Sequence, residues 1–230
     1  MKALVLLSGG MDSTTLLYHA LELTRHVRAV SFNYGQRHSK ELQAAFEITN
    51  RVGVVHHKVD LRTLRTELIM SGSSLLDPTI DVPEGHYAAD NMAITVVPNR
   101  NAIMLSIAFG IAVAIGFDTV MFAPHSGDHE IYPDCRADFV QAFEDAMVLA
   151  NRPHHVELVT PFIRMTKADI AKRGNQLGVP FDLTWSCYKG GAIHCGRCGT
   201  CVERMEAFAI AKVEDPTVYE DTKYWTTVIG

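Results

Sequence analysis

Short apolar runs alternate with segments of helical periodicity along most of this chain. The continuous apolar run at residues 2–7 predicts a first strand that is buried on both faces. The further strands that the pattern predicts are residues 27–32, 56–60, 119–123 and 156–160. The predicted helices are residues 13–23, 39–52, 102–115 and 137–149, a segment that begins at the Thr166 and Asp169 capping pair, and residues 202–212. This alternation indicates an α/β fold, a doubly wound parallel sheet with helices on both faces.

Residues 61–97 interrupt the alternation. They hold several glycines and prolines and few periodic apolar positions. A connection of this length inside a compact domain usually has a function of its own. We therefore expect a lid or a substrate-binding loop in this segment.

The turn after the first strand carries the clearest candidate site. Residues 8–13, Ser-Gly-Gly-Met-Asp-Ser, form a segment that we call the glycine loop, and a predicted helix follows it. The first N–H groups of a helix lack partners and attract anions, and glycines let phosphate oxygens approach the backbone. The loop has neither the lysine of a Walker A motif nor the spacing of a dinucleotide-binding fingerprint. An ordinary turn between a strand and a helix is the alternative.

The glycine loop resembles the pyrophosphate loop of enzymes that split ATP between the α and β phosphates. In that interpretation, hydroxyl groups from the serines and threonines donate to phosphates, and Asp12 holds a Mg²⁺ ion that bridges them. The predicted nucleotide-binding residues are Leu7, Ser8, Gly9, Gly10, Met11, Asp12, Ser13, Thr14, Thr15, Leu16 and Leu17.

Four of the five cysteines lie within fifteen residues, at Cys187, Cys195, Cys198 and Cys201. Four thiolates and two overlapping Cys-x-x-Cys turns suit a structural Zn²⁺ ion, which takes four ligands in a tetrahedron. An iron–sulfur cluster and a redox disulfide are the alternatives. We favour zinc and divide the chain into an ATP-binding α/β domain at residues 1–180 and a zinc-binding segment at 181–230 that packs on the same domain.

Composition and charge narrow the class of protein further. Hydrophobic residues make up 47% of the chain and charged residues 20%, and the formal net charge of −5 gives no general attraction for nucleic acid. The longest apolar stretch is shorter than a membrane span and contains two glycines, and no export signal precedes the first strand. We expect a cytoplasmic protein, a homodimer, that binds neither membrane nor nucleic acid. A nucleic-acid-binding zinc module is the alternative, although few basic residues lie near the cysteines.

Several landmarks together resemble one family. They are the glycine loop, Tyr-Gly-Gln-Arg-His at 34–38, Val-Pro-Asn-Arg-Asn at 97–101, Tyr-Pro-Asp-Cys-Arg at 132–136 and the four cysteines. Their order and spacing are similar to those of the QueC family, the 7-cyano-7-deazaguanine synthases of the queuosine and deazapurine pathway. The resemblance extends from about residue 3 to residue 205. It departs from the usual pattern in the loop at 123–131 and at Asn99, where glycine is common. Because asparagine tolerates a positive φ, we expect Asn99 to keep the backbone turn.

The resemblance implies an ATP-dependent ligase that acts on 7-carboxy-7-deazaguanine and ammonia. Adenylation of the carboxylate releases pyrophosphate, and ammonia then displaces AMP to give an amide. A second ATP activates the amide oxygen, and loss of AMP leaves the nitrile. An enzyme that stops at the amide, another pyrophosphate-loop ligase and an RNA-thiolating enzyme are the alternatives.

Asp12, Arg100, Asp134 and Arg136 are the predicted catalytic residues. A guanidinium group suits a carboxylate or a phosphate, so the two arginines are expected to bind substrate or ATP. Asp134, together with Asp128, is expected to orient ammonia or Mg²⁺. The alternative for each charged residue is a solvated loop position or a salt bridge.

Overall fold

A computed structural model describes residues 1–229 of the chain, and its secondary structure follows the hydrophobic pattern closely. The strands are β1 (Ala3–Leu6), β2 (Val27–Asn33), β3 (Val55–Asp60), β4 (Thr119–Met121) and β5 (Glu157–Val159). The helices are α1 (Met11–Leu23), α2 (Lys40–Val52), α3 (Arg65–Ile69), α4 (Ala89–Met92), α5 (Arg100–Ala114), α6 (Ala137–Ala150), α7 (Lys167–Gln176), α8 (Gly199–Ala211) and α9 (Trp225–Val228). The main differences from the sequence-based boundaries are earlier starts for α1, α5 and α8.

The five strands form one parallel sheet in the order β3-β2-β1-β4-β5. The predicted fold class, a doubly wound parallel sheet, is therefore confirmed. The chain winds outward from β1 in one direction through β2 and β3 and then returns to place β4 on the other side of β1. Ligands of such sheets bind at the carboxyl ends of the strands where this reversal occurs. The glycine loop follows β1 at that point.

Successive side chains of β1 point to opposite faces of the sheet, and each face is covered by helices. Val5 and Leu7 pack on one face against residues of α1, α2 and α7. Leu4 and Leu6 pack on the other face against residues of α5 and α6. Burial of both faces explains the continuous apolar run in the sequence.

Residues 61–97 are folded against the end of the sheet. They contain α3, α4 and 3₁₀ turns at Arg62–Leu64 and Ala93–Thr95. Leu75 and Leu76 are buried beside Tyr34, and the Ser74 N–H donates to the Ile94 carbonyl at 2.9 Å. The segment therefore has its own core contacts, which its weak periodicity did not indicate. Immediately after it, Asn99 has a φ of 53°, a left-handed conformation that asparagine tolerates. The positive φ expected at Asn99 is therefore confirmed.

The C-terminal residues return to the glycine loop. The Trp185 N–H donates to the Gly9 carbonyl at 2.9 Å. Further along, α8 lies against α7, and the rings of Phe181 and Phe208 pack edge to face with centroids 4.8 Å apart. Within residues 1–229, no single helix has the length and apolar character to cross a membrane, although a bent pair, Ala89–Thr95 with Arg100–Ala114, meets those two criteria.

Candidate active site and metal centre

A cavity of about 210 Å³ opens at the carboxyl ends of β1 and β4, where the strand order reverses. One part of its wall is the glycine loop, and another part is a group of aromatic residues around Arg100. The aromatic residues that line the cavity are Phe32, Tyr34, Tyr87, Phe122, Tyr132, Trp185 and Tyr188, and of these Tyr34, Tyr132 and Tyr188 lie beside Arg100. The cavity therefore joins a candidate phosphate site to a candidate site for a flat organic molecule.

Serine hydroxyls hold the glycine loop in its curved shape. The Ser8 and Gly10 N–H groups donate to the hydroxyls of Ser13 and Ser8, respectively, each at 3.1 Å, and the two hydroxyl oxygens are 3.0 Å apart. Ser8, Gly10, Met11, Asp12 and Ser13 line the cavity, as does Leu7 at the end of β1. The loop and the first turn of α1 thus face the cavity as expected for a phosphate site.

Gly9 is required by the packing of α2. Its φ is +96°, and a Cβ atom there would lie 2.1 Å from the Glu41 carbonyl oxygen and 2.8 Å from the Ala45 nitrogen. Any other residue would push α2 away from the loop. Both glycines were expected to let phosphate oxygens approach the backbone. In the structure, Gly9 has this packing role instead, and only Gly10 lies on the cavity wall.

The last predicted nucleotide-binding residues lie in the core. Thr14, Thr15, Leu16 and Leu17 are wholly buried, and they are not on the cavity wall. The Thr15 hydroxyl donates to the Met11 carbonyl at 2.8 Å, so it is engaged within α1. The Thr15 hydroxyl was expected to donate to a phosphate, but it has this partner in the core and lies away from the cavity wall. A helix turns by about 100° per residue, so positions that follow a motif in sequence rotate away from it.

Asp12 is paired with a lysine that sequence reasoning missed. The Lys167 Nζ atom lies 3.0 Å from Asp12 Oδ2 and 2.9 Å from Glu203 Oε2, so it bridges α1 and α8 from the first residue of α7. Burial opposes ionisation of Asp12, but Lys167 and His125 outweigh it and lower the pKa of the carboxyl group. Burial likewise disfavours the charged lysine, but Asp12 and Glu203 raise the pKa of Lys167. Both residues are therefore charged at neutral pH.

His125 and Asp128 extend this charged group. The His125 Nδ1 atom accepts a hydrogen bond from the Gly127 N–H, while Nε2 faces Asp128 Oδ2 at 3.5 Å and Glu203 Oε1 at 3.9 Å. The other oxygen of Asp128 accepts a hydrogen bond from the Tyr87 hydroxyl at 3.2 Å. Asp128 lines the cavity, as the sequence analysis expected for a residue near the substrate.

Arg100 faces the cavity from the first turn of α5, and tyrosines surround it. One guanidinium nitrogen donates to the Tyr34 hydroxyl at 3.3 Å, and the guanidinium carbon lies 5.6 Å from the centre of the Tyr132 ring. Within residues 1–229, no carboxylate lies within ion-pair distance of Arg100. A partly buried guanidinium group without an acidic partner is suited to bind an anion that enters the cavity.

Asp134 and Arg136 lie outside the cavity wall. Asp134 Oδ2 accepts a hydrogen bond from the Asn101 N–H at 2.8 Å, and Oδ1 accepts one from the Asn101 side chain at 3.0 Å. Asp134 therefore satisfies a free donor at the start of α5. Arg136 is exposed, and its Nε atom donates to the His129 carbonyl at 2.7 Å. In the structure, these two predicted catalytic residues have structural contacts, which the sequence could not show because the contacts are long-range or made by backbone atoms.

The four clustered cysteines meet at one point behind the aromatic wall. Their sulfur atoms all lie within 4.8 Å of one another, and all four residues are buried. Backbone N–H groups of Arg197 and Cys198 point at the Cys195 sulfur at 3.4 and 3.3 Å. A tetrahedral zinc site places its sulfurs about 2.3 Å from the metal, which requires sulfurs this close together. The donor set therefore fits a four-thiolate metal ion.

Two neighbours of the cluster have other roles. His194, a possible extra ligand from its position, accepts the Ser186 N–H at Nε2 and packs against the Trp185 ring with centroids 4.2 Å apart. Gly196 has a φ of +73°, and a Cβ atom there would meet the Asp221 carbonyl oxygen at 1.8 Å. The turn between two cysteines is thus fixed by the C-terminal tail. Cys135 precedes the four clustered cysteines in sequence. It is buried and does not belong to the cluster.

The doubly wound sheet, the glycine loop at its switch point and the cavity define the class of α/β proteins with a cavity where the strand order of a parallel sheet reverses. The solved structure of the NMN synthetase from Francisella tularensis superposes with a TM-score of 0.51 at 13% identity and covers 93% of this chain and 78% of that chain, a likeness of fold alone. The sequence profile of Queuosine biosynthesis protein QueC matches residues 2–212, so the chain belongs to the QueC family.

Curated relatives agree with this assignment over the whole length. The 7-cyano-7-deazaguanine synthase from Ruegeria sp. (strain TM1040) is 55% identical and covers 100% of this chain and 98% of its own length. The enzyme of the same name from Paracoccus denitrificans (strain Pd 1222) is 51% identical with the same coverage.

Sequence reasoning missed several residues of the cavity wall, among them Glu41, Tyr87, Lys167 and Tyr188, and it missed Glu203 beside Lys167. One signal was available for Lys167. It is the first residue of α7, where the helix dipole disfavours a cation. A lysine at that position indicates a compensating anion or ligand.

Proposed function

We propose that this protein is an ATP-dependent ligase that converts 7-carboxy-7-deazaguanine and ammonia to 7-cyano-7-deazaguanine. The observation that carries the proposal is the single cavity, in which the glycine loop shares a wall with Arg100 and its surrounding tyrosines. One end suits the phosphates of ATP, and the other suits a flat anion. Relatives of that name cover the whole chain, which supports the same reaction here.

The phosphate end consists of the glycine loop and the start of α1. Here the free N–H groups of the helix face phosphate oxygens, and Ser8 and Ser13 shape the loop. Lys167 adds a positive charge at the same end and counters charge that develops as pyrophosphate departs. The predicted nucleotide-binding residues that line the cavity are the proposed direct contacts with ATP. They are Leu7, Ser8, Gly10, Met11, Asp12 and Ser13.

The substrate end consists of Arg100 and the tyrosines. A deazaguanine ring is flat and aromatic, so it can stack on tyrosine rings, while its carboxylate pairs with the guanidinium group of Arg100. This pairing directs the carboxylate oxygen toward the α-phosphate of ATP. Because the two ends share one cavity, the carboxylate can attack the phosphate without leaving the protein.

Asp12 is the proposed holder of Mg²⁺. Its Oδ1 atom is buried and has no hydrogen-bond partner within the described residues, although its Oδ2 atom pairs with Lys167. A free carboxylate oxygen beside a phosphate site fits a hard cation. A Mg²⁺ ion there would neutralise phosphate charge, while Asp12 itself keeps its position through Lys167.

The cysteine cluster is the proposed zinc site, held by Cys187, Cys195, Cys198 and Cys201. Four buried thiolates leave no open position for a reacting group, so the metal has a structural role. The neighbouring Trp185, Ser186 and Tyr188 line the cavity, and the site would therefore support the substrate wall. We further propose a cytoplasmic homodimer that uses small-molecule substrates without nucleic acid or membrane, since the reaction requires ATP and reduced thiols.

The test is to incubate the purified protein with ATP, Mg²⁺, ammonium and 7-carboxy-7-deazaguanine and to follow the product by mass spectrometry. We expect the nitrile as the final product, because Asn99 preserves the backbone turn and Arg100 remains on the cavity wall. Accumulation of 7-amido-7-deazaguanine with excess ATP would instead support the enzyme that stops at the amide. Absence of both products and of pyrophosphate would refute the proposed reaction.

A further inference from the structure

Glu41 lies where the two ends of the cavity meet. It belongs to the first turn of α2 and lines the cavity wall. A Cβ atom on Gly10 of the glycine loop would come within 3.9 Å of its Oε1 atom. The charges that act on Glu41 come from Asp12 and Lys167 at the phosphate end and from Arg100 at the substrate end. A carboxyl group in this position faces the place where an acyl group would pass from AMP to nitrogen.

His38 lies beside Glu41. The His38 Nε2 atom lies 3.4 Å from Glu41 Oε2, and the His38 ring packs on Tyr188 with centroids 5.0 Å apart. His38 lines the cavity and is 2% exposed, and its Nδ1 atom has no hydrogen-bond partner within the described residues. A buried ring nitrogen without a protein partner on a cavity wall is available to a ligand atom or a water molecule.

The other cavity carboxylates each have a cationic or hydrogen-bonding partner on at least one oxygen. Asp12 pairs with Lys167, and Asp128 accepts hydrogen bonds from the Tyr87 hydroxyl and the His125 N–H. Within residues 1–229, the carboxyl group of Glu41 has only the 3.4 Å contact with His38. Glu41 is therefore the carboxyl group on the wall that is free to exchange a proton with a small molecule in the cavity.

We infer that Glu41, positioned by His38, is the catalytic base that accepts a proton from ammonium in the amide-forming step. The inference rests on the proposed function, which needs ammonia as a nucleophile. Ammonium has no free electron pair, so it must lose a proton before it attacks. Arg100 and Lys167 nearby favour that loss, because they destabilise a further cation.

Formation of the amide from ammonium releases two protons. Ammonium gives one proton to the Glu41 carboxylate, and the nitrogen electron pair forms a bond to the acyl carbon of the adenylate. The bond from that carbon to the phosphate oxygen breaks, and AMP leaves with the electron pair. The nitrogen then loses a second proton to water. The products are the amide, AMP and two protons.

The electrostatics of Glu41 agree with this role. Burial raises the pKa of its carboxyl group to about 8, against the opposing effects of Arg100 and Lys167. Burial together with Arg100 and Arg37 lowers the pKa of His38 to about 3, so the ring stays neutral at neutral pH. A base whose pKa lies near the working pH is the most effective one. The hydroxyl groups of Tyr34 and Tyr188 also face the carboxyl group and keep their protons there, since burial raises the pKa of each.

The test compares two nucleophiles in the variant E41Q, which keeps the side-chain shape but cannot accept a proton. Ammonium must be deprotonated, whereas hydroxylamine is already neutral at neutral pH. We expect the rate of amide formation from ammonium to fall about 100-fold. Hydroxamate formation from hydroxylamine, and substrate-dependent exchange of pyrophosphate into ATP without ammonium, should stay at the wild-type level. The control is Glu47→Gln, an exposed position on the same helix, which should change neither rate.

The possible results distinguish a failure of the role of Glu41 from a failure of the proposed reaction. If E41Q loses exchange and the hydroxylamine reaction as well, Glu41 binds substrate or supports the fold, and the inference is overturned. Full ammonium activity in E41Q would also overturn it. If the wild-type protein shows no exchange with 7-carboxy-7-deazaguanine, the proposed function itself fails. His38→Gln should lower the ammonium rate and shift its pH profile, while hydroxylamine should restore the rate.

Discussion

Asp12 and Lys167 are joined by an ion pair of 3.0 Å that links the first turn of α1 to the first residue of α7. The pair places a negative and a positive group side by side at the phosphate end of the cavity. A carboxylate is suited to a metal ion and an ammonium group to phosphate oxygens, so the pair carries one partner for each of the two ligands in the proposed function. Glu203, 2.9 Å from the lysine, gives Lys167 a second anionic partner.

Asp12→Asn should abolish the release of pyrophosphate and AMP while the protein stays folded. The amide cannot hold Mg²⁺ as a carboxylate does, and loss of such charge stabilisation costs about 100-fold or more in rate. Lys167 keeps Glu203 as a partner, so its charge is not stranded. Pyrophosphate release gives the rate, and circular dichroism checks the fold. Asp138→Asn, an exposed change in the first turn of α6, is the control. Unchanged pyrophosphate release in D12N would remove the metal assignment.

Lys167→Met should destabilise the protein strongly. It leaves the partly buried carboxylates of Asp12 and Glu203 without a cation between them, and breaking a buried pair in this way costs at most about 3 to 5 kcal/mol. Urea unfolding measures the change. Lys172→Met, which alters an exposed lysine on the same helix, should cost far less. Equal stability of the two variants would show that the ion pairs contribute little.

Serine at Cys198 or at any other cysteine of the cluster should release the metal and lower the melting temperature. The site has no spare ligand among the described residues, so three thiolates cannot complete a tetrahedron. Elemental analysis of the wild-type protein should find about one zinc per chain. Cys135→Ser, a buried change outside the cluster, should keep the metal. Iron in place of zinc would contradict the assignment.

Asp134→Ala should lower stability more than it lowers the rate of the chemical step. Asp134 satisfies the Asn101 N–H at the start of α5, and loss of such a contact costs about 1 kcal/mol. The substrate KM should rise modestly, because Arg100 is the residue before Asn101. Thermal unfolding and single-turnover rates separate the two effects. A variant of normal stability with no turnover would restore Asp134 to the catalytic role that the sequence suggested.

Glu41→Gln should make the protein less sensitive to alkaline pH. The folded state holds the Glu41 proton more tightly than the unfolded state, since the pKa rises from 4.5 to about 8 on folding. The resulting stabilisation is present below pH 4.5 and is lost as the pH rises toward 8. The melting temperature of E41Q relative to wild type should therefore increase over that range. A constant difference between the two curves would show that the carboxyl group is not buried in solution.

Most of the fold could be predicted from local patterns in the sequence. Strands buried on both faces are continuously apolar, so the apolar run alone was enough to place Leu4 and Val5 in a strand. The glycine loop and the cysteine cluster were equally accessible, because their residues are close in sequence. Leu16 and Leu17 were predicted to bind nucleotide because they follow the loop closely in sequence. In the folded chain, the turn of α1 places them in the core.

The contacts between the charged residues of the site could not be predicted from local sequence patterns. Asp12, Lys167 and Glu203 come from three helices, and only the packing of those helices brings the side chains together. The contact between Asp134 and Asn101 spans 33 positions, so nothing near either residue reveals it. Each of these contacts is decided by tertiary structure.

The hydrogen bond from Trp185 to the Gly9 carbonyl determines where this chain can be divided. A fragment that ends before Trp185 would lack one support of the glycine loop, and a separate C-terminal piece would lose its contacts with that loop and with α7. Split-protein reporters or circular permutants should therefore be opened elsewhere. The exposed turn at residues 152–155, between α6 and β5, interrupts neither the glycine loop nor the cysteine cluster and is the better place for new termini.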